Sequence, residues 1–475
     1  MAITRNIQYL NKDFSDFRSQ LINFSQTYFP TTYTDFSPSS PGIMFMEQAS
    51  YVGDVLSFYL DNQLQETYLQ YARQTNNIYD LAYMFGYKPK TTGLAAANLE
   101  FFQLVPSKVE GSSTVPDYDY TLFIEGNTPV TSTTNSTVNF NIEDSIDFSV
   151  SNSLDPTTVT IAQIDGISGE PTYYLLKKTR KATSGTINTT TFSFGSFEEF
   201  PTVTINTDNI AGIIDVFDSD NNEYYEVDYL GQEIVFDSIK NTNTNDPNNY
   251  QQGDTPYILK TKQVQRRFAT RFLNSGSLQL QFGSGNPADT DEEIIPNPEN
   301  VGLGLPYEKN KLTTAFSPTN FILTNTYGTA PTNTTLTVRY TTGGGVSSNV
   351  PANNLTNLNT STVRFINNNL NPSTAQYIFD SIAVNNPSAA SGGQDGDSIT
   401  EIRENTLSNF SSQLRNVTAD DYLVRALSMP SKFGVISKAY TQKPKVENAD
   451  TTLDLYVLSY NVNKSLTSAS SALKN

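Results

Sequence analysis

The chain has 475 residues, with 30 Lys plus Arg against 48 Asp plus Glu, a net charge of −18, and no Cys, His or Trp. The missing residue types remove disulfides, thiolate nucleophiles, Ser-His-Asp and Cys-His catalysis, and nearly all zinc and copper sites. The acidic balance opposes nucleic acid and anionic membrane as partners.

The opening MAITRNIQYLNKDF has no apolar core, so no secretory signal is expected. No apolar run approaches the ~18 residues that a membrane span needs. Sequons such as that at Asn135 read as chance in an Asn- and Thr-rich chain.

In KDFSDFRSQLINFSQTYF the apolar residues Phe14, Phe17, Leu21, Phe24 and Tyr28 are spaced 3, 4, 3 and 4 apart. That is a heptad seam, and Pro30 stops it. It fits a helix packed on its own domain or one that seats a partner helix. A second helix starts at SSPGIMF, with Ser40 as N-cap and Pro41 as first helical residue. Its pattern continues to about Ala72, a length of roughly 48 Å, with apolar residues wide enough for burial on two sides. Thr75 is then expected to cap a short helix, with Gly86 at the C′ position and Pro89 beyond.

From about 95 to 345, Thr, Asn, Ser, Val, Ile and Phe dominate. TVTIN (202–206), EYYEVDYL (223–230) and SLQLQFG (277–283) alternate as strands do. The polar stretches 241–254 and 286–304 read as loops. Helices are expected at 398–414 and 419–429, strands at 432–440 and 452–461, and a helical stretch SLTSASSALKN to the end. The fold class is thus a multidomain α+β protein. It has an N-terminal long-helix domain (1–92), a central β-rich region of two subdomains (93–345) and a C-terminal α/β domain (346–475).

Three stretches invite a ligand. GGQDGDSITE (392–401) has acids around Gly396 but lacks the EF-hand register and carries no Lys-Ser/Thr for phosphate. Ser398 and Glu401 instead fit a capping box, Thr418 and Asp421 repeat it, and Asp395 and Asp397 complement the helix dipole. The basic cluster Lys260, Lys262, Arg266, Arg267 and Arg271 fits an acidic partner or a solvated strand face. Gly343, Gly344 and Gly345 fit a tight turn or bulge that needs positive φ. No catalytic residue, metal ligand or cofactor site is assigned.

Five segments occur together in one order: DFSPSSPGIMFMEQASYVGDVLSFYLDNQLQETYLQYARQTNNIYDLAYMFGYKP (35–89), LQFGSG (280–285), VRYTTGGGVSSNVPANNL (338–355), GGQDGDSITEIREN (392–405) and NVTADDYLVRA (416–426). In this the chain resembles the J-like baseplate wedge proteins of contractile-tailed bacteriophages. The insert between LQFGSG and VRYTTGGG is longer than the compact family pattern and resembles the large wedge subunits of T-even-like phages. The resemblance implies a further helix and strand after Asn475, so a last domain truncated at its C-terminus is one expectation.

The resemblance implies a non-enzymatic structural subunit in the virion's tail baseplate, made in the host cytoplasm. Such subunits pair with a second copy and with other wedge subunits. They join wedges into a ring around the hub, meet sheath-initiator and hub proteins, and support the sheath through baseplate rearrangement. It also implies an intermolecular bundle of N-terminal helices, with Phe14, Phe17, Leu21, Phe24, Tyr28, Val52, Leu56 and Tyr59 as interface. The alternative is a β-rich tail adhesin or polysaccharide-degrading spike, with a carbohydrate groove in the 95–345 region.

Overall fold

A computed structural model describes residues 12–111, 113–152, 155–240, 257–273, 276–286, 295–296, 322–323, 327–443 and 453–474. The expected loop 241–254, most of 286–304 and much of the insert before residue 338 lie outside the described residues. The chain is a multidomain α+β protein. It forms two compact units, Met1–Pro89 with Ser398–Leu414, and Lys90–Asp397 with Arg415–Asn475.

The first unit is helical: α1 (Phe14–Tyr28), α2 (Pro41–Glu66), α3 (Thr75–Met84) and a later helix, Ile399–Ser412. Asp13 opens α1 with a capping box closed by Asp16. Pro41 occupies the first turn of α2, where its missing N–H costs nothing. Ser40 stands at the N-cap position but makes no capping bond, because its hydroxyl pairs with the Tyr33 hydroxyl at 2.7 Å. The helix also stops at Glu66, not near Ala72. The Glu66 carboxylate accepts the N–H groups of Arg73 and Gln74 at 2.9 and 3.1 Å and the Asn77 amide at 3.0 Å, which turns the chain into α3. These hydrogen bonds outweigh the cost of burying the carboxylate and hold its pKa below the ordinary value. Thr75 is accordingly the first residue of α3, with Gln74 at the N-cap. Gly86 closes α3 at φ +80°, with Gly86 N–H on Tyr83 and Tyr87 N–H on Ala82 in a Schellman pattern. The core of this unit is Leu69, Ala72, Ile78, Ala82, Tyr87 and Ile402.

The second unit is built on two large sheets. In the first, the long strands Ala96–Glu110 and Pro171–Ser184 pair antiparallel along most of their length, and Leu355–Leu358 and Ala383–Asn385 close the two ends of the strand path. Its core includes Leu99, Phe101, Phe140, Phe148 and Leu176, each fully buried. The second is a seven-stranded sheet that includes the strands expected at 202–206, 223–230 and 277–283, with the buried Phe282 ring packed against Tyr224 and Phe268. Strand Tyr225–Val227 pairs parallel to Arg267–Ala269 within it.

The C-terminal segment departs from expectation. KFGVISKAY begins with a 3-10 turn, Ser431–Phe433, and Gly434 at φ +102°, so only Lys438–Gln442 is strand. SLTSASSALKN is not one helix. Asn461 accepts the N–H groups of Asn463 and Ser465, each at 2.9 Å, and returns the chain as a strand. Leu466–Ser468 pairs with Leu458–Tyr460, and only Ser471–Lys474 is helical.

Candidate functional site

α1 and α2 form an antiparallel hairpin. Arg18 donates to Glu47 at 3.0 Å, Ser25 lies 3.9 Å from the Met46 sulfur, and the Phe17 ring covers Gly53. A Cβ on Gly53 would stand 3.2 Å from that ring, so the missing side chain sets how closely the helices approach.

Three heptad seams run along α2. Met46, Ser50, Gly53 and Ser57 form the inward one, with both serines buried. Phe45, Ala49, Val52, Leu56 and Tyr59 form a second; Met44, Gln48, Tyr51, Val55 and Phe58 form a third. Neighbouring residues are ~100° apart on a helix, so the seams point in three directions. Among the described residues the expected burial on two sides is therefore not seen. Ile43, Ser50 and Ser57 are buried, whereas most of the large apolar residues stand in solvent: Leu56 is 62% exposed and Phe58 66%. A shallow groove lined by Met44, Glu47, Gln48, Tyr51 and Val52 follows this face.

The α1 seam divides. Phe14, Phe17 and Leu21 are half-buried, whereas Phe24 and Tyr28 are exposed and stack with ring centroids 4.6 Å apart. Val52, Leu56 and Tyr59 all lie on the second α2 seam and are exposed. Among the described residues no helix is long and apolar enough to cross a membrane.

The glycine-rich motifs meet in the second unit. Gly343, Gly344 and Gly345 take φ +104°, +90° and +79°. A Cβ on Gly344 would lie 2.5 Å from the Gly93 carbonyl oxygen, and one on Gly396 2.5 Å from that of Thr91. One on Gly393 would overlap the Gly345 carbonyl oxygen. Asn349 clasps Gly393 from the side, accepting its N–H and donating to its carbonyl, each at 2.8 Å. Backbone touches backbone here, a packing reason for glycine.

Within this junction Asp395 and Asp397 do more than face a helix dipole. Asp395 accepts the Lys464 ammonium at 2.7 Å, which chiefly lowers its pKa. Asp397 accepts the Lys90 N–H at 3.0 Å. The buried Lys90 ammonium donates to the Leu427 carbonyl at 2.6 Å, at the end of helix Ala419–Leu427. Burial pushes the Lys90 pKa down, and Asp397 opposes that shift. Among the described residues no three carboxylates are placed to hold a metal ion.

Ser398 with Glu401 and Thr418 with Asp421 form reciprocal capping boxes. The basic cluster is dispersed. Lys260 lies opposite Asp237 across a hairpin, and Lys262 sits over the Tyr225 ring at 4.2 Å. Arg266 is 3.9 Å from Asp218, and Arg267 is buried, donating to the carbonyls of Leu230 and Val264. Sequence reasoning missed a buried ionic group in the first sheet, Lys178 and Arg180 around Asp155. No spacing rule links a loop acid to strand residues 23 and 25 positions away.

Among the described residues nothing covers these two apolar seams, and exposed apolar patches of this kind mark interaction surfaces. Residues 13–84, covering α1 to α3, match the family described as bacteriophage baseplate protein, N-terminal domain. The match supports a structural role in a phage tail baseplate, and with it a place in the virion beside other baseplate components. No curated protein matches the chain.

Proposed function

We propose that the chain is a non-enzymatic wedge subunit of a contractile-tail baseplate. It links wedges into a ring around the hub and supports sheath attachment and baseplate rearrangement. In this reading a second copy and another wedge subunit supply the helices that cover the two open seams of α2. The observation that carries it is the row of exposed Phe45, Val52, Leu56 and Tyr59 at heptad spacing on a hairpin that matches a baseplate domain. Each such side chain, if fully buried, contributes ~1.5–3 kcal/mol before ordering costs.

The test is Val52→Asp with Leu56→Asp, co-expressed with the other wedge subunits of the same phage. Wedge assembly should fail while the isolated chain keeps its circular dichroism and melting temperature. Normal assembly would sink the proposal. Phe17 and Leu21 are poorer targets, because both are half-buried in the hairpin and their loss also disturbs folding.

A further inference from the structure

Strand Thr158–Ile164 is the outer member of a four-stranded arm whose order is Ser113–Pro116, Ala96–Glu110, Pro171–Ser184, Thr158–Ile164. It pairs with Pro171–Ser184 on one side only, and among the described residues no strand lies on the other. All seven of its residues are exposed. Val159 and Ile161 lie opposite Leu176 and Tyr174. They therefore continue the core-facing side of the sheet past the point where the chain covers it: Tyr174 and Leu176 are buried, yet Ile161 is 54% exposed.

Natural sheets guard such an edge with Lys, Pro or a bulge. The opposite edge of the arm ends on Pro116. The strand Thr158–Ile164 has no charge and no proline; a register shift at Ala162 bounds its regular part on one side. Pro156–Ile164 contains no ionisable residue in a chain of net charge −18. Two copies repel wherever their acids meet; Asp155 and Asp165 flank this edge, and the stretch Thr158–Ala162 between them carries no charge.

We propose that two copies of this chain pair antiparallel through Thr158–Ala162, about a two-fold axis at Thr160. In that register Thr160 meets Thr160, and Val159 of each copy meets Ile161 of the other on the core-facing side. The pairing fills the exposed backbone of both edges, so it closes at a dimer rather than growing into a fibre. It does not depend on the baseplate reading.

The chain has no Cys, so a single introduced thiol reports the contact. Directly opposed residues of an antiparallel pair stand ~4.5–5.5 Å apart, within disulfide range. Purified full-length Thr160→Cys should give a covalent dimer on mild oxidation, and Thr114→Cys on the opposite edge should not. Adding Ile161→Lys to Thr160→Cys should cut the dimer yield roughly tenfold, since an ammonium must then be buried beside Val159. Circular dichroism of each variant confirms that the fold is kept. The proposal is overturned if Thr160→Cys cross-links no better than Thr114→Cys, or if the products are larger than a dimer. It also fails if in assembled particles the thiol couples only to a different protein.

Discussion

Asp155→Asn tests the buried ionic group of the first sheet. The Lys178 side chain has no exposed surface, and its ammonium lies 2.7 Å from one Asp155 oxygen. Arg180 grips both oxygens, at 2.6 and 2.9 Å. The substitution keeps the shape but leaves an ammonium in the core without a counter-charge, at a cost of ~3–5 kcal/mol. Lys178→Met removes the ammonium and leaves Asp155 held by Arg180, so it should cost less, about 1–3 kcal/mol. The double variant should cost less than the sum, since both changes act on one contact. Urea unfolding by circular dichroism gives the energies, and hydrogen exchange in Pro171–Ser184 localises the loss. The pH dependence has a defined sign. Burial pushes the Asp155 pKa up, but the bonds from Arg180 and Lys178 outweigh it and set the folded value below the ordinary 3.8. Its contribution is therefore present above that value and lost as pH falls through the folded pKa. The gap between wild type and Asp155→Asn should narrow in acid. An Asp155→Asn cost under ~0.5 kcal/mol, or one no larger than that of Lys178→Met, would refute the reasoning.

Four further outcomes follow from the backbone. Gly393→Ala should destabilise by about 1–3 kcal/mol, because its Cβ would meet the Gly345 carbonyl and the Asn349 amide. Gly195→Ala, with open space around it, should lie within ~0.5 kcal/mol of wild type in the same denaturation assay. Ser398→Ala should cost ~1 kcal/mol through loss of the capping box, and Ser398→Thr should restore most of it. Equal melting temperatures for wild type and the alanine variant would count against the cap. Leu414→Gly should raise stability by about 0.5–1 kcal/mol, because Leu414 is exposed and held at φ +57° beyond the end of its helix. A lower melting temperature would contradict this.

Local chemistry was readable where it acts within a few residues. Pro41, Gly86 and the two capping boxes mark helix ends because each removes or helps to satisfy an unpaired backbone group of its own turn. The strands at 202–206, 223–230 and 277–283 show in their alternation. What escaped depends on distant partners. Glu66 ends α2 by bonding residues seven to eleven positions ahead. Asp397 is committed to Lys90, 307 residues away in sequence. Leu466–Ser468 becomes strand because Leu458–Tyr460 offers a ladder, although Ser, Ala and Leu equally suit a helix.

The α2 seams escaped for a different reason. Periodicity identifies an apolar stripe but not which stripe the chain itself covers, and the usual assumption sends the largest residues inward. Here the stripe covered by α1 is the small one, since Ser50, Gly53 and Ser57 permit a close approach that Tyr51 or Phe58 would block. The hairpin also does not provide the helical unit's core. That core is formed by Leu69, Ala72, Ile78, Ala82 and Tyr87 with Ile402. Arg403 reinforces it by donating to the carbonyls of Leu69 and Ala72 at 3.1 and 2.6 Å. Under the proposed function, folding and partner binding draw on different side chains of the same unit. A charge at Val52 or Leu56 should then abolish assembly without unfolding the subunit. A bulky residue at Gly53 would do the reverse, prying α1 from α2 before any partner arrives.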